Sequence, residues 1–304
     1  MARIDNQGKI RGSVGNYSYR VVGDKNLLQS KPGKVKQTAN TKESASEFGL
    51  ASTSAKVIRS CLYALIQGRH DGGMINRLQQ TVYHAIKTGT GTRGNRTLYD
   101  GDLSKLLGFE FNNRSPLSEV LKIKPSAVMD GSGRILVTIP SFKTRRDMKM
   151  PSRANGCYLR VVVTALNFSS AYFQYTGHQQ LNIQASSVHE EQTLTFDQEI
   201  PQGCVVLISM SLHFYTPQTL VGEIVLNSDE LNPVSLIGIF KTDAENGSHD
   251  DVTYMPEVER YPMTAYFGND ILRDQQRARD LHPPEAAETV NEGIVFPGSG
   301  KSLL

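Results

Sequence analysis

The sequence has no tryptophan, only three cysteines and no long apolar run. Cys61, Cys157 and Cys204 are an odd number without close spacing, which argues against a disulfide framework or a zinc pattern and predicts buried thiols. No apolar run approaches the roughly 20 residues of a membrane span. The first residues lack the apolar segment of a secretory signal peptide. We therefore expect synthesis in the cytoplasm, with an extracellular filament or a virion as open destinations.

Signatures of catalysis and of cofactor binding are also missing. There is no G-x-S-x-G, and His189-Glu190-Glu191 lacks the second histidine of a zinc protease motif. Gly298–Ser302 resembles the end of a phosphate-binding loop, but Val295 stands where that motif requires glycine. The glycine-rich loop at 88–96 lacks the Lys-Ser/Thr ending of the same motif. The sequence therefore predicts no enzymatic activity, no catalytic residue, no cofactor and no metal site.

Charge is distributed unevenly along the chain, although the net charge is only +3. Residues 1–150 hold 25 Lys/Arg and 11 Asp/Glu, a net of +14, whereas residues 151–304 have a net of −11. The basic half predicts contact with a polyanion such as nucleic acid. Alternatively, the basic face of one copy meets the acidic face of the next, which favours head-to-tail assembly. Two solvated faces without a partner are the third interpretation.

Residues 1–40 are predicted to form a basic, extended arm. Five glycines are spaced through the segment, no helical periodicity is present, and Tyr17–Val22 alternates in a way that could add a strand to a sheet on this chain or on a neighbour. Such a segment buries little by itself and needs a surface to lie against. The arm residues predicted to make assembly contacts are Arg3, Lys9, Arg11, Tyr17, Tyr19, Arg20, Lys25, Lys31, Lys34 and Lys36.

Residues 41–108 are predicted to form a helical hairpin. Asn40 or Thr41 can cap the first helix, with Glu43 completing a capping box. Apolar residues then recur at steps of three and four up to Leu65, and a second stripe runs from Ile75 to Ile86. A short helix from about Asp102 to Leu107 completes this region.

Residues 109–243 are predicted to form an antiparallel β-sandwich of jelly-roll or immunoglobulin-like type, which makes the chain an α+β protein. The clearest strand is Val205–Tyr215, where apolar and polar residues alternate and predict one buried and one solvated face. Turn signals separate the strands. The other candidate strands are Glu119–Ile123, Arg134–Ile139, Tyr158–Leu166, Ala171–Tyr175, Thr193–Phe196, Thr219–Leu226 and Val234–Phe240.

Residues 244–304 are predicted to form an acidic, proline-containing tail with at most one short helix around Asp270–Leu281. Extended ends of this kind are ordered when a partner holds them and disordered otherwise. The tail residues predicted to make assembly contacts are Asp250, Asp251, Glu257, Glu259, Asp270 and Asp274.

The opening of the chain resembles an uncharacterised bacterial family. The motifs that carry the resemblance are Gly12–Asn16, Ser30-Lys31-Pro32, Lys36-Gln37-Thr38 before a helix that contains Phe48, and the strand-like segment Cys157–Phe168. They cover roughly the first seventy residues and one strand, and Gln29–Pro32 departs from the more arginine-rich version of that family. The resemblance implies a basic glycine-rich arm, a helical hairpin and a β-sandwich, and it implies no activity.

These observations predict a non-enzymatic structural subunit. Arm exchange and charge-complementary head-to-tail contacts would assemble it into a filament, a tube or a phage-like particle, with copies of itself or with other structural subunits. Two alternatives stay open. One is a β-sandwich that binds a carbohydrate or a surface receptor, and the other is nucleic-acid binding through the basic half.

Overall fold

A computed structural model describes residues 2–31, 33, 37–220, 222–244 and 259–281. The described residues form a mixed α+β protein with six α-helices and fifteen strands, all paired antiparallel. The α+β class predicted from the sequence is therefore confirmed. The chain divides after Lys42 into two compact units.

The first unit is a four-stranded antiparallel meander in place of the extended arm that the sequence predicts. Its strands pair in chain order with one another, so their central backbone groups find partners within the chain. The strand predicted at Tyr17–Val22 is present. The four strands are β1 (Arg3–Ile4), β2 (Ile10–Val14), β3 (Tyr17–Val22) and β4 (Lys25–Ser30).

Helices are found where the two apolar stripes predict them. The first begins at Ala39, before the predicted caps, because the hydroxyl oxygen of Thr38 accepts a hydrogen bond from the backbone N–H of Thr41 (3.3 Å). The predicted short helix at 102–107 is a 3₁₀ turn, Leu103–Leu106, capped by Asp102. The α-helices are α1 (Ala39–Cys61), α2 (Tyr63–Ile66), α3 (Met74–Lys87), α4 (Leu117–Val120), α5 (Thr144–Asp147) and α6 (Gly268–Leu281).

A six-stranded sheet forms the centre of the second unit. It curls into a half-barrel, and this shape is not clearly the sandwich that the sequence predicts. The strands of the second unit are β5 (Ser126–Met129), β6 (Ile135–Ile139), β7 (Phe142–Lys143), β8 (Gly156–Asn167), β9 (Tyr172–Gln184), β10 (Val188–His189), β11 (Gln192–Phe196), β12 (Val205–Gln218), β13 (Gly222–Val225), β14 (Val234–Lys241) and β15 (Arg260–Pro262). The order of the six-stranded sheet is β13-β12-β8-β9-β15, and β14 also pairs with β12. A three-stranded sheet has the order β11-β6-β5, and β10 pairs with β7.

Both faces of the central strand β12 are buried, which corrects the prediction of one solvated face. Val205 and Leu207 pack in a cluster with α1 and α3, while the intervening residues pack with the three-stranded sheet. The polar residues Ser209, Ser211 and His213 are therefore buried on the helix-covered face, because a layer covers each side of the sheet. The alternation of apolar and polar residues along a strand predicts one buried face, but it does not show whether another layer covers the second face.

Two further predictions are corrected or refined by the fold. The segment predicted as a strand at Glu119–Ile123 begins in the last two residues of helix α4 and then forms only an isolated bridge, at Leu121. Part of the predicted acidic tail, 259–281, forms β15 and α6, and the linking residues Met263 and Tyr266 are buried in the core. The helix predicted near Asp270–Leu281 matches α6, and the three cysteines are free and buried as predicted.

Candidate functional site

The N-terminal sheet is shaped by two tight hairpins that the sequence encodes. Gly15-Asn16 joins β2 to β3, and Gly23-Asp24 joins β3 to β4; φ is 53° at Gly15 and 58° at Gly23. Positive φ favours glycine, and two-residue turns of this kind match the twist of paired strands. Gly15-Asn16 and Gly23-Asp24, each between two strand-like segments, are thus the sequence signal for a sheet in place of an arm.

The register of this sheet separates apolar from basic side chains. Tyr19 is paired with Gly12 on one side and with Leu28 on the other, and paired residues share a face of the sheet. We name the two sides by their members. The apolar face carries Ile4, Ile10, Val14, Tyr17, Tyr19, Val21 and Leu28, and the basic face carries Arg3, Arg11, Arg20 and Lys25 together with Val22 and Leu27.

The apolar face is exposed to solvent. No residue described between 2 and 31 is buried, and Ile4, Leu28 and Tyr17 are 71%, 58% and 52% exposed. A small antiparallel sheet is marginally stable unless one face is covered. This sheet therefore leaves large apolar side chains in contact with water on one face.

Charged residues of this unit are partly paired with one another. Lys9 Nζ lies 3.2 Å from Asp24, and Arg11 Nε lies 3.3 Å from Asp5. A hydrogen bond from the backbone N–H of Lys9 is the main cause that lowers the pKa of Asp5, so this carboxylate stays charged. Lys31 donates to the carbonyl oxygen of Gly15 (2.7 Å). These pairs are local and leave the basic face with a positive charge.

The outer edge of the sheet is open in the part of the chain that the structure describes. Every residue of β4 is exposed, and β4 pairs only with β3. An edge strand presents a row of unpaired N–H and C=O groups to which another strand can bind. Lys34 and Lys36, also predicted as contact residues, lie outside the described residues.

The predicted acidic contact residues that the structure describes each have a partner close by in the sequence. Asp270 pairs with Arg273, and Asp274 lies 3.9 Å from Arg277, each within one turn of α6. Glu259 accepts a hydrogen bond from Tyr261 (2.7 Å). Exposed local pairs of this kind contribute about 0–1 kcal/mol and reduce the charge offered to a partner. Asp250, Asp251 and Glu257 lie outside the described residues.

The glycine-rich loop at 88–96 is held by packing against α1. Arg96 donates to Glu47 through Nε (2.8 Å), and the backbone N–H of Gly94 donates to the same carboxylate oxygen (3.0 Å). Arg93 donates to Ser44 (2.6 Å). Both arginines of this loop, Arg93 and Arg96, therefore connect it to the helix.

Sequence reasoning missed a cavity of about 430 Å³ between the end of α1 and the helix-covered face of the central sheet. Its helical wall includes Cys61, Leu62 and Leu65, and its sheet wall includes Arg160 and Val162. The residues that line this cavity come from elements about a hundred residues apart in the sequence. Only the three-dimensional arrangement of the strands reveals it.

No known family, curated protein or solved structure matches this chain. Within the described ranges, no cluster of three or more His, Cys, Asp or Glu side chains could hold a metal ion. None of the helices described is long and apolar enough to cross a membrane.

Proposed function

We propose that this chain is a structural subunit that associates with copies of itself through its N-terminal sheet. The observation that carries the proposal is the solvent-exposed apolar face, on which Ile4, Val14, Tyr17 and Leu28 are all more than half exposed. Covering it removes apolar side chains from water, at about 25 cal/mol per Å². The whole sheet takes the role that the sequence assigns to an extended arm.

The partner we propose is a second copy, with the apolar faces of two N-terminal sheets packed together. Sheets that pack face to face lie about 10 Å apart and bury alternate residues, and most of the apolar side chains of this sheet lie on one side. Such packing directs the basic face outward. The net charge of +14 in residues 1–150 and −11 in residues 151–304 then favours contact between unlike halves of neighbouring copies.

Repetition of these two contacts would build a filament, a tube or a phage-like particle. A contact between two copies of one surface closes a pair, whereas a contact between unlike surfaces continues from copy to copy. We propose the second unit as the repeating body of the assembly, in the form of a jelly-roll-like sandwich. The hydrophobic clusters on both faces of its central sheet support that description.

Light scattering and negative-stain electron microscopy of the full chain test the proposal at low and at high salt. The matched variant lacks residues 1–38, which precede α1. We expect dimers or larger assemblies that disappear in the shortened variant, and growth beyond dimers that weakens with salt. Monomers of the full chain under every condition would overturn the proposal.

The basic face supports a second candidate, the binding of nucleic acid. Arg3, Arg11, Arg20 and Lys25 lie on one side of the sheet, and phosphate contacts of this kind give a steep salt dependence. Fluorescence anisotropy with a labelled duplex and with a labelled single strand tests it. If Arg20→Gln with Lys25→Gln lowers duplex or single-strand affinity while leaving association unchanged, the basic face binds nucleic acid.

A further inference from the structure

The cavity at the end of α1 has one apolar wall and one charged wall. Leu62 and Leu65 are buried residues of its helical side, and Val162 contributes from the sheet. On the sheet side, Arg160 is paired with Gln180 across strands β8 and β9, and His178 is paired with Val162 two residues along. A volume of about 430 Å³ lies within the range of about 300–1,000 Å³ found for small-molecule sites.

Arg160 is the charged group of this cavity, and it lacks a carboxylate partner in the part of the chain that the structure describes. Its Nε donates to Gln180 (2.8 Å), and the central carbon of its guanidinium lies 5.8 Å from the centre of the Tyr158 ring. Within the described residues, its terminal nitrogens make no hydrogen bond. None of the described residues that line the cavity is acidic. A guanidinium held in this way is suited to binding a carboxylate through two parallel hydrogen bonds.

The surroundings of Arg160 also favour an anion over a cation. Burial, together with the positive charges of Arg160 and Arg69, lowers the pKa of His213, which lies on the same face of the central sheet as Arg160. His213 is thus neutral at pH 7, and its ring nitrogen Nε2 lies 3.1 Å from Ser211 Oγ. Arg160 is therefore the charged side chain among the described lining residues, and a neutral His213 adds no second charge.

The cysteine in the cavity lining is not an activated nucleophile. Burial raises the pKa of the Cys61 thiol, so this lining residue stays protonated and unreactive. Tyr175 donates its hydroxyl proton to the backbone oxygen of Cys61 (2.6 Å), which ties the helix end to the sheet. The wall residues are therefore held in place before any ligand arrives.

We propose that this cavity binds a small carboxylate with an apolar body, of the kind found in medium-chain fatty acids. Arg160 binds the carboxylate, and Leu62, Leu65 and Val162 contact the apolar chain. One guanidinium can bind one carboxylate group through two hydrogen bonds. A cavity with a cationic side chain on one side and apolar side chains on the other therefore fits a molecule with a charged end and an uncharged body. The proposal does not depend on self-association.

Isothermal titration calorimetry with hexanoate, octanoate, decanoate and the uncharged octan-1-ol tests the ligand class. We expect octanoate to bind at least tenfold more tightly than octan-1-ol. Affinity should rise roughly fourfold with each added methylene until the cavity is full. Equal binding of the acid and the alcohol, or no binding of any acid at millimolar concentration, would overturn the proposal.

Two variants separate the charged wall from the apolar one. Arg160→Gln should weaken octanoate binding roughly tenfold to a hundredfold, because a hydrogen-bonded charge pair is lost. The matched control is Arg114→Gln, which alters an exposed arginine paired with Glu230 outside the cavity lining. Ala64→Phe, at an exposed position of the lining, should block all chain lengths.

Circular dichroism of each variant establishes that it folds before its affinity is compared. Unchanged octanoate affinity in folded Arg160→Gln would show that the acid binds elsewhere. Equal loss in Arg160→Gln and Arg114→Gln would indicate general electrostatic attraction and would also overturn the proposal. Light scattering on the same samples reports association separately, so the failure of one proposal is distinguished from that of the other.

Discussion

Leu27 and Leu28 are adjacent on strand β4 and lie on opposite faces of the N-terminal sheet. Leu28 is paired with Tyr19 on the apolar face, and Leu27 is paired with Arg20 on the basic face. Their exposed fractions are similar, 46% for Leu27 and 58% for Leu28. The same substitution at the two positions therefore shows which face of the sheet takes part in self-association.

Leu28→Thr should weaken self-association about tenfold, whereas Leu27→Thr should change it little. Threonine keeps the strand preference but removes apolar surface from the contact, which lowers the free energy gained on burial. Analytical ultracentrifugation over a range of protein concentrations gives both dissociation constants. Equal effects of the two substitutions would mean that the apolar face is not the contact.

Some of this architecture follows from the sequence because it depends on local periodicity. The stripe from Ile75 to Ile86 predicts α3, and the alternation at Tyr17–Val22 predicts β3. The pairing of β3 with β2 and β4 depends on its flanking turns, and composition alone suggested an unpaired arm. Local chemistry was sufficient there, because Gly15 and Gly23 mark the hairpins.

Other features depend on contacts distant in sequence. The burial of Ser209, Ser211 and His213 requires both a helical layer and a second sheet against β12, and no local pattern reports two layers. The cavity is likewise lined by residues that are distant in sequence, from the end of α1 and from strands β8 and β9. For Asp270 and Asp274, the sequence indicated acidic charge, but their partners are arginines one turn along the same helix.

Arg96→Met should destabilise the second unit by about 3 kcal/mol. Arg96 contacts Glu47, whose side chain is only 2% exposed, and removal of the guanidinium leaves a buried carboxylate without its cation. Urea denaturation followed by circular dichroism measures the loss. The control is Arg134→Met, which breaks an exposed pair with Asp130 and should cost less than about 1 kcal/mol. Similar costs for the two variants would contradict this account.

Gly89→Ala should destabilise the fold by about 1–3 kcal/mol through overpacking. A methyl group at Gly89 would collide with the backbone oxygen of Asp100 and would lie 2.7 Å from the Cα atom of Gly101. Backbone atoms cannot rotate away as a side chain can. Gly131→Ala is the matched control, because nothing lies within 4 Å of a methyl group there. Thermal denaturation should show a lower melting temperature for Gly89→Ala alone.

The imidazole of His213 should make stability depend on pH between about pH 4 and pH 6.5. Burial, with the charges of Arg160 and Arg69, lowers the pKa of His213 to about 4, against about 6.5 in an unfolded chain. The unfolded state therefore binds the proton first as pH falls. Stability is complete above about pH 6.5 and decreases progressively down to about pH 4, by roughly 3 kcal/mol in total.

His213→Gln separates this effect from other titrations. The pKa values of Asp130 and Asp147 are both lowered to about 2, so these carboxylates remain charged throughout that window. Between pH 7.5 and 5, the free energy of unfolding should decrease more in the original chain than in His213→Gln, as measured by urea denaturation at each pH. Glutamine fills similar space without titrating, so any lower stability of the variant at pH 7.5 is subtracted. An identical pH dependence in the two proteins would mean that His213 is protonated as readily when folded as when unfolded.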